Sequence, residues 1–164
     1  MRLLAVTLIC LSATATLALA EGWEVMYLAA SGGSRPMHVG PNDGGTPFAY
    51  VDSARGERLF LDCRANGSGS YDWTLKLHPG EASALRASDS DGTRLFAGFD
   101  DDPTQIDLGL FNFVQEAFWA AIPEDVAMQI MERSLIRISD GGSAVAEFTL
   151  RGSSEAIDRA CPTP

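Results

Sequence analysis

Residues 57–78 read ERLFLDCRANGSGSYDWTLKLH, and this stretch decides the fold. In Glu57 to Arg64, the residues Leu59, Leu61 and Cys63 alternate with Phe60, Asp62 and Arg64. In Tyr71 to His78, the set Tyr71, Trp73, Leu75 and Leu77 alternates with Asp72, Thr74, Lys76 and His78. Successive side chains of a strand point to opposite faces, so one apolar set at period two marks a half-buried antiparallel strand. The connecting Ala65-Asn66-Gly67-Ser68-Gly69-Ser70 is turn chemistry, and Asn66-Gly67 predicts positive φ there. Asn66-Gly67-Ser68 also spells a glycosylation acceptor, but a hairpin tip accounts for it better.

Weaker signals flank this hairpin. Trp23 to Ala29 alternates as a strand, and Phe48 to Val51 resumes one. Between them, Ser31 to Pro47 is dense in Gly, Pro, Ser and Asn and predicts a long loop, mobile or functional. Leu85 to Ser88 and Arg94 to Phe99 suggest a hairpin around Asp89-Ser90-Asp91-Gly92, and Gln105 to Leu110 alternates again. Phe111 to Ile122 is ambiguous: Phe111, Val114, Phe118, Ala121 and Ile122 fit one helical face, but Phe113 and Trp119 fall off it. Pro123-Glu124-Asp125 opens a helix, with acids at the positive end of its dipole and Val126, Ala127, Ile130 and Met131 along one face. Leu135 to Ser139 and Val145 to Leu150 are strands about Asp140-Gly141-Gly142. Ser153 is the expected cap of a closing helix that buries Ala156, Ile157 and Ala160 and ends at Cys161, before Pro162. Many short strands without a βαβ rhythm predict an α+β fold. It is mainly antiparallel β, a sandwich or partial barrel, with two short helices packed on it.

The first twenty residues, MRLLAVTLICLSATATLALA, have the form of a signal peptide. Arg2 supplies the positive start, Leu3 to Leu11 the apolar run, and Ala18-Leu19-Ala20 the small-x-small cleavage site. The run is too short to span a bilayer, which takes about 20 apolar residues. The expected organisation is a signal at residues 1–20 and one β-rich domain at 21–164, periplasmic or secreted after cleavage near Ala20. Cys10 leaves with the signal, and Ile9 before it is too large for a lipoprotein site. In an oxidising compartment the remaining Cys63 and Cys161 read as one disulfide. A redox or metal pair is the weaker reading, because the two lie far apart with only His38 and His78 as further ligands.

Without Arg2, the chain carries eleven basic and 22 acidic residues, a balance of −11. Such a charge disfavours nucleic acid and anionic lipid, which need a basic surface. It serves solubility, and it also suits a partner with a positive surface, such as a cationic hydrolase or toxin. Catalytic signals are poor. Ser143 sits in Gly-Gly-Ser-Ala-Val, without the last glycine of a nucleophile elbow. His78 falls on the outward face of a strand and His38 in the loop, so no base is paired with a nucleophile. In Asp89-Ser90-Asp91-Gly92, Ala87 and Gly98 stand where a calcium loop needs carboxylates. A cation among Asp100, Asp101 and Asp102 is less favoured than a solvated turn. No metal or cofactor is expected. The aromatic group Phe111, Phe113, Phe118 and Trp119 reads as core, or alternatively as a partner contact together with His38 and the Ser31 to Pro47 loop.

The opening Gly22-Trp23-Glu24-Val25, Cys63, the strand Tyr71-Asp72-Trp73-Thr74-Leu75 and the tail Ala146-Glu147-Phe148-Thr149-Leu150-Arg151-Gly152-Ser153 … Ala156-Ile157 … Cys161 carry a resemblance. Together they resemble small exported proteins of Alphaproteobacteria. Some of those are grouped with invasion-associated locus B proteins, others with accessory proteins of type VI secretion. In locus B proteins a cysteine is expected soon after the tryptophan strand, whereas here Trp73 is followed only by Cys161. The resemblance implies a periplasmic, non-enzymatic α+β protein and supplies no catalytic residue. The expected function is that of an exported accessory or protein-binding domain that contacts another exported or envelope protein. A small-molecule carrier and a cell-envelope hydrolase are the alternatives.

Overall fold

A computed structural model describes residues 22–29, 37–80, 92–114, 116–142 and 144–161. The first strands are β1 (Glu24–Ala29), β2 (Met37–Val39), β3 (Thr46–Asp52), β4 (Arg58–Ala65) and β5 (Tyr71–His78). Next come β6 (Thr93–Phe99), β7 (Gln105–Val114), β8 (Ala117–Ile122) and helix α1 (Glu124–Glu132). The chain closes with β9 (Leu135–Ser139), β10 (Ala144–Thr149) and helix α2 (Ser153–Ala160). The strands pair antiparallel in the order β10-β9-β6-β7-β8-β5-β4-β3-β1-β2. The α+β class, mainly antiparallel with two short helices, is what the structure shows. The sheet is not a closed barrel.

Strand β7 is the pivot of the sheet. Its first part pairs with β6, from Gly98↔Gln105 to Thr93↔Phe111, and its last residues pair with β8. The register slips between Leu95 and Phe96, which leaves Leu108 as an extra residue before Gly109 at φ 86°. A bulge of this kind bends a strand and sharpens its twist. The sheet curls far enough that the residue before β1 reaches the end of β10. The Trp23 amide donates to the Arg151 carbonyl at 3.0 Å, and its indole Nε1 to the Thr149 carbonyl at 3.0 Å. A Cβ on Gly22 would lie 2.4 Å from the Arg151 oxygen, so this junction requires glycine.

The two helices fill the inside of the curl. Leu59, Leu61, Leu75 and Leu77 are fully buried and share one core with Val126, Ala127 and Ile130 of α1 and Ala156, Ile157 and Ala160 of α2. Burying a leucine side chain contributes about 1.5–3 kcal/mol, so the period-two alternation of β4 and β5 is the main sequence source of this core. The Cys63–Cys161 disulfide, with a Cα–Cα distance of 5.8 Å, ties the end of α2 to β4. Ser153 Oγ donates to the Ile130 carbonyl at 2.8 Å and joins α2 to α1.

Three local expectations are corrected. Ser153 is the first residue of α2, not its cap; Gly152 caps it in the left-handed region, and the serine hydroxyl serves α1 instead. In the β4–β5 connection the positive φ falls on Gly69, while the Asn66 side chain accepts bonds from Ser68 and Ser70 and holds the turn from within. The ambiguous segment is no helix. It is the end of β7 and the whole of β8, joined through Glu116 at φ 66°. Residues 1–21, 30–36 and 81–91 lie outside the described residues, and with them the expected signal, the Leu85 to Ser88 strand and most of the first half of the Ser31 to Pro47 loop. Past residue 36 the expected loop contains β2, and its last two residues, Thr46 and Pro47, already belong to β3.

Candidate functional site

The helices cover one face of the sheet and leave the other to be described by its own side chains. Cross-strand register places Glu24, Tyr50, Phe60, Lys76, Trp119 and Asn112 in one straight row across six strands of this outer face. Directly opposed residues in antiparallel strands stand close enough for their side chains to touch, and here they do. Tyr50 Oη donates to Glu24 at 2.6 Å, and the Tyr50 and Phe60 rings lie 5.9 Å apart. The Lys76 ammonium sits 5.2 Å from the Phe60 ring centre and 4.3 Å from that of Trp119. Each contact between a cation and a ring contributes about 0.5–1 kcal/mol at an exposed site and more where water is excluded.

A second row, Asp52, Arg58 and His78, runs beside the first. Arg58 donates twice to Asp52, at 2.5 and 2.6 Å, and its guanidinium lies 4.7 Å from the Tyr50 ring centre. A planar fork on a carboxylate is the strongest side-chain pairing available at a surface. The edge of the His78 ring meets Phe60 at 5.6 Å, and the ring is hydrogen-bonded to the backbone of Glu116 in the β7–β8 turn. Phe60 is therefore boxed in by Tyr50, Lys76 and His78. It is only 5 % exposed although it lies outside the main core.

This crowding tunes the titrating groups. Burial lowers the Lys76 ammonium from its ordinary value, while nearby Asp62 opposes the shift. Burial also lowers His78, and Lys76 and Arg58 push in the same direction. Tyr50 is raised to about 12 by burial and by its bond to Glu24. Burial raises Asp62, against the pull of Arg64 and Lys76. The acids Glu24, Asp52, Asp62 and Asp72 nearly balance Arg58, Arg64 and Lys76 on this face, in a chain whose formal charge is −10.

The aromatic group expected as a contact patch is divided by the structure. Phe111 and Phe118 are fully buried in the core, which removes them from any contact surface of the folded state. Phe113 lies on the same side, 4.8 Å from Phe118, but at the rim and 43 % exposed. Trp119 faces the opposite way, into the outer row. His38 is exposed on β2, paired across from Leu28 and away from that row. Sequence reasoning missed Tyr50, Phe60 and Lys76 as a group. The alternation in β4 and β5 had set Phe60 and Lys76 outward, but only register brings them to the same line.

His78 is held between Phe60 and a backbone group, and Ser143 lies outside the described residues. Glu57 is fully buried beside β4; its Oε2 accepts a short bond from Ser53 Oγ, and its Oε1 has no partner. Among the described residues no three His, Cys, Asp or Glu side chains gather as a metal site, and no helix is long and apolar enough to cross a membrane. No known protein family, no curated protein and no solved structure matches this chain.

Proposed function

We propose that this protein is an exported, periplasmic accessory domain that performs no catalysis and binds another envelope protein through the outer face of its sheet. The observation that carries this reading is the Tyr50–Phe60–Lys76–Trp119 row. Tyr50 and Trp119 are partly exposed and held by Phe60 and Lys76, so they lose little freedom on binding, and tyrosine and tryptophan are among the residues that dominate the energetics of protein interfaces. The near-balance of charge on this face lets a partner approach closely. The acidic excess elsewhere steers a partner with a basic surface from a distance.

The experiment has two parts. The protein isolated from the periplasm is weighed by mass spectrometry, with a mature start at Glu21 expected; recovery of the intact chain from the cytoplasm would overturn the export reading. Native mass spectrometry of gently captured protein then compares the wild type with Trp119→Ala and Phe113→Ala. A partner of fixed stoichiometry should be lost with Trp119→Ala, weakened about thirtyfold or more, and kept with Phe113→Ala. Loss with Phe113→Ala alone would move the contact to the other side of the sheet and refute the outer-face assignment.

A further inference from the structure

We infer that His78 is an acid-sensing residue for the outer face, whose protonation drives Lys76 from between Phe60 and Trp119 and bares their rings. The inference rests on the reading of this face as a contact surface only for what the switch would regulate; the movement itself needs no partner.

The geometry is a crowd of cations around one imidazole. His78 is in register with Arg58 on β4 and shares the outer face of β5 with Lys76, two positions away. From β3, Asp52 faces Arg58 and is occupied by it through two bonds. From the β7–β8 turn, Glu116 offers its backbone to the ring and a carboxylate to the vicinity. Asp62, on β4, is the acid nearest in influence to Lys76. Burial and the two cations already disfavour the charged ring, so His78 holds a proton less readily than an ordinary imidazole.

A proton gained by His78 places a third positive charge among these groups. Repulsion then acts on all three, and the most weakly held gives way. Arg58 is fixed by its fork on Asp52 and His78 by the Glu116 backbone and the Phe60 edge. Lys76 is held by ring faces, on a flexible four-carbon stem that reaches solvent readily. Its departure uncovers Phe60 and Trp119 together. Histidine is the side chain whose ordinary value lets its charge change between about pH 5 and 8, so mild acidification is enough to reach it.

The test is an NMR titration of residues 21–164 from pH 7.5 to 4.5. It follows the His78 ring, the Lys76 side chain and the Trp119 indole. The three should move with one shared midpoint, below the ordinary histidine value of 6.5. His78→Gln should abolish the Trp119 step, while His38→Gln and Asp62→Asn should keep it. A Trp119 signal that stays flat while His78 titrates would overturn the inference, as would a step that persists in His78→Gln. Should His78→Gln fail to fold, the shared or separate midpoints of the wild-type protein decide alone. No partner is present in this experiment, so its failure leaves the binding reading standing, and loss of the binding reading leaves this one standing.

Discussion

Opening the Cys63–Cys161 bond should weaken the fold without undoing its packing. The two cysteines are 98 positions apart, so the bond closes a loop that takes in most of the described sheet. For a loop of this length the chain-entropy relation gives about 16 cal/mol/K, or roughly 4.7 kcal/mol at 25 °C. The native state should keep its packing, because α2 is held independently. Ala156, Ile157 and Ala160 are buried, and Ser153 and Ser154 donate to the Ile130 and Met131 carbonyls at 2.8 and 2.6 Å. The loss therefore falls on the unfolded chain, which gains freedom when the link is cut. In urea, with a slope of about 2 kcal/mol/M, the midpoint for Cys63→Ala/Cys161→Ala should fall by roughly 2 M, and the slope should hold or steepen because the unlinked unfolded chain is less compact. The far-UV and near-UV circular dichroism of the native state should be preserved. A fall of less than about 0.5 M would refute the entropic reasoning. A clear drop in slope with loss of helical signal would instead show that the bond, and not the packing, docks α2.

Phe118→Ala should cost about 3–5 kcal/mol in a urea melt, since a fully buried ring leaves a cavity. Phe113→Ala, at the exposed rim, should cost under about 1.5 kcal/mol; equal losses would contradict the burial difference between them. Glu57→Gln should cost about 1–3 kcal/mol, because its amide would put two N–H donors where Oε1 already has no partner. Unchanged stability would mean that the site offers those donors an acceptor. Tyr50 is raised to about 12, so its contribution to stability is complete below its unfolded value of about 10 and is lost as pH rises through 12. Tyr50→Phe should flatten that alkaline loss in melts between pH 9 and 12, and an unchanged profile would refute the assignment.

The legible parts of the fold are those where one face is apolar and the other is not. Tyr71 to His78 is a strand over the whole expected span because Trp73, Leu75 and Leu77 alternate with polar residues. Leu135 to Ser139 follows in the same way. The β7–β8 hairpin was illegible because apolar residues stand on both of its faces: Phe111 and Phe118 enter the core, whereas Trp119 joins the outer row. Its turn also falls at Glu116, a residue that rarely takes positive φ, and no Gly or Pro announces it. The outer row was hidden for a different reason. Alternation assigns a residue to a face, but the alignment of Glu24, Tyr50, Phe60, Lys76 and Trp119 depends on four separate strand registers. Those registers are set by pairings between residues up to 49 positions apart, as from Trp73 to Ile122, which no local pattern carries.

The sheet therefore divides its tasks by face. The inner face is committed to the helices, and the junction of Trp23 with Thr149 and Arg151 holds the curl around them. Among the described residues no helix covers the outer face, yet it carries Tyr50, Phe60 and Trp119 where a purely solvated face would carry small polar groups. The basic residues chosen there fit their neighbours. Arg58 meets a carboxylate that a planar fork can grip with two bonds, and a lysine could make only one such directed pair. Position 76 needs a compact charge between two ring faces, and it holds the only lysine of the chain. Having its only lysine at that point ties the residue choice to the geometry of the row.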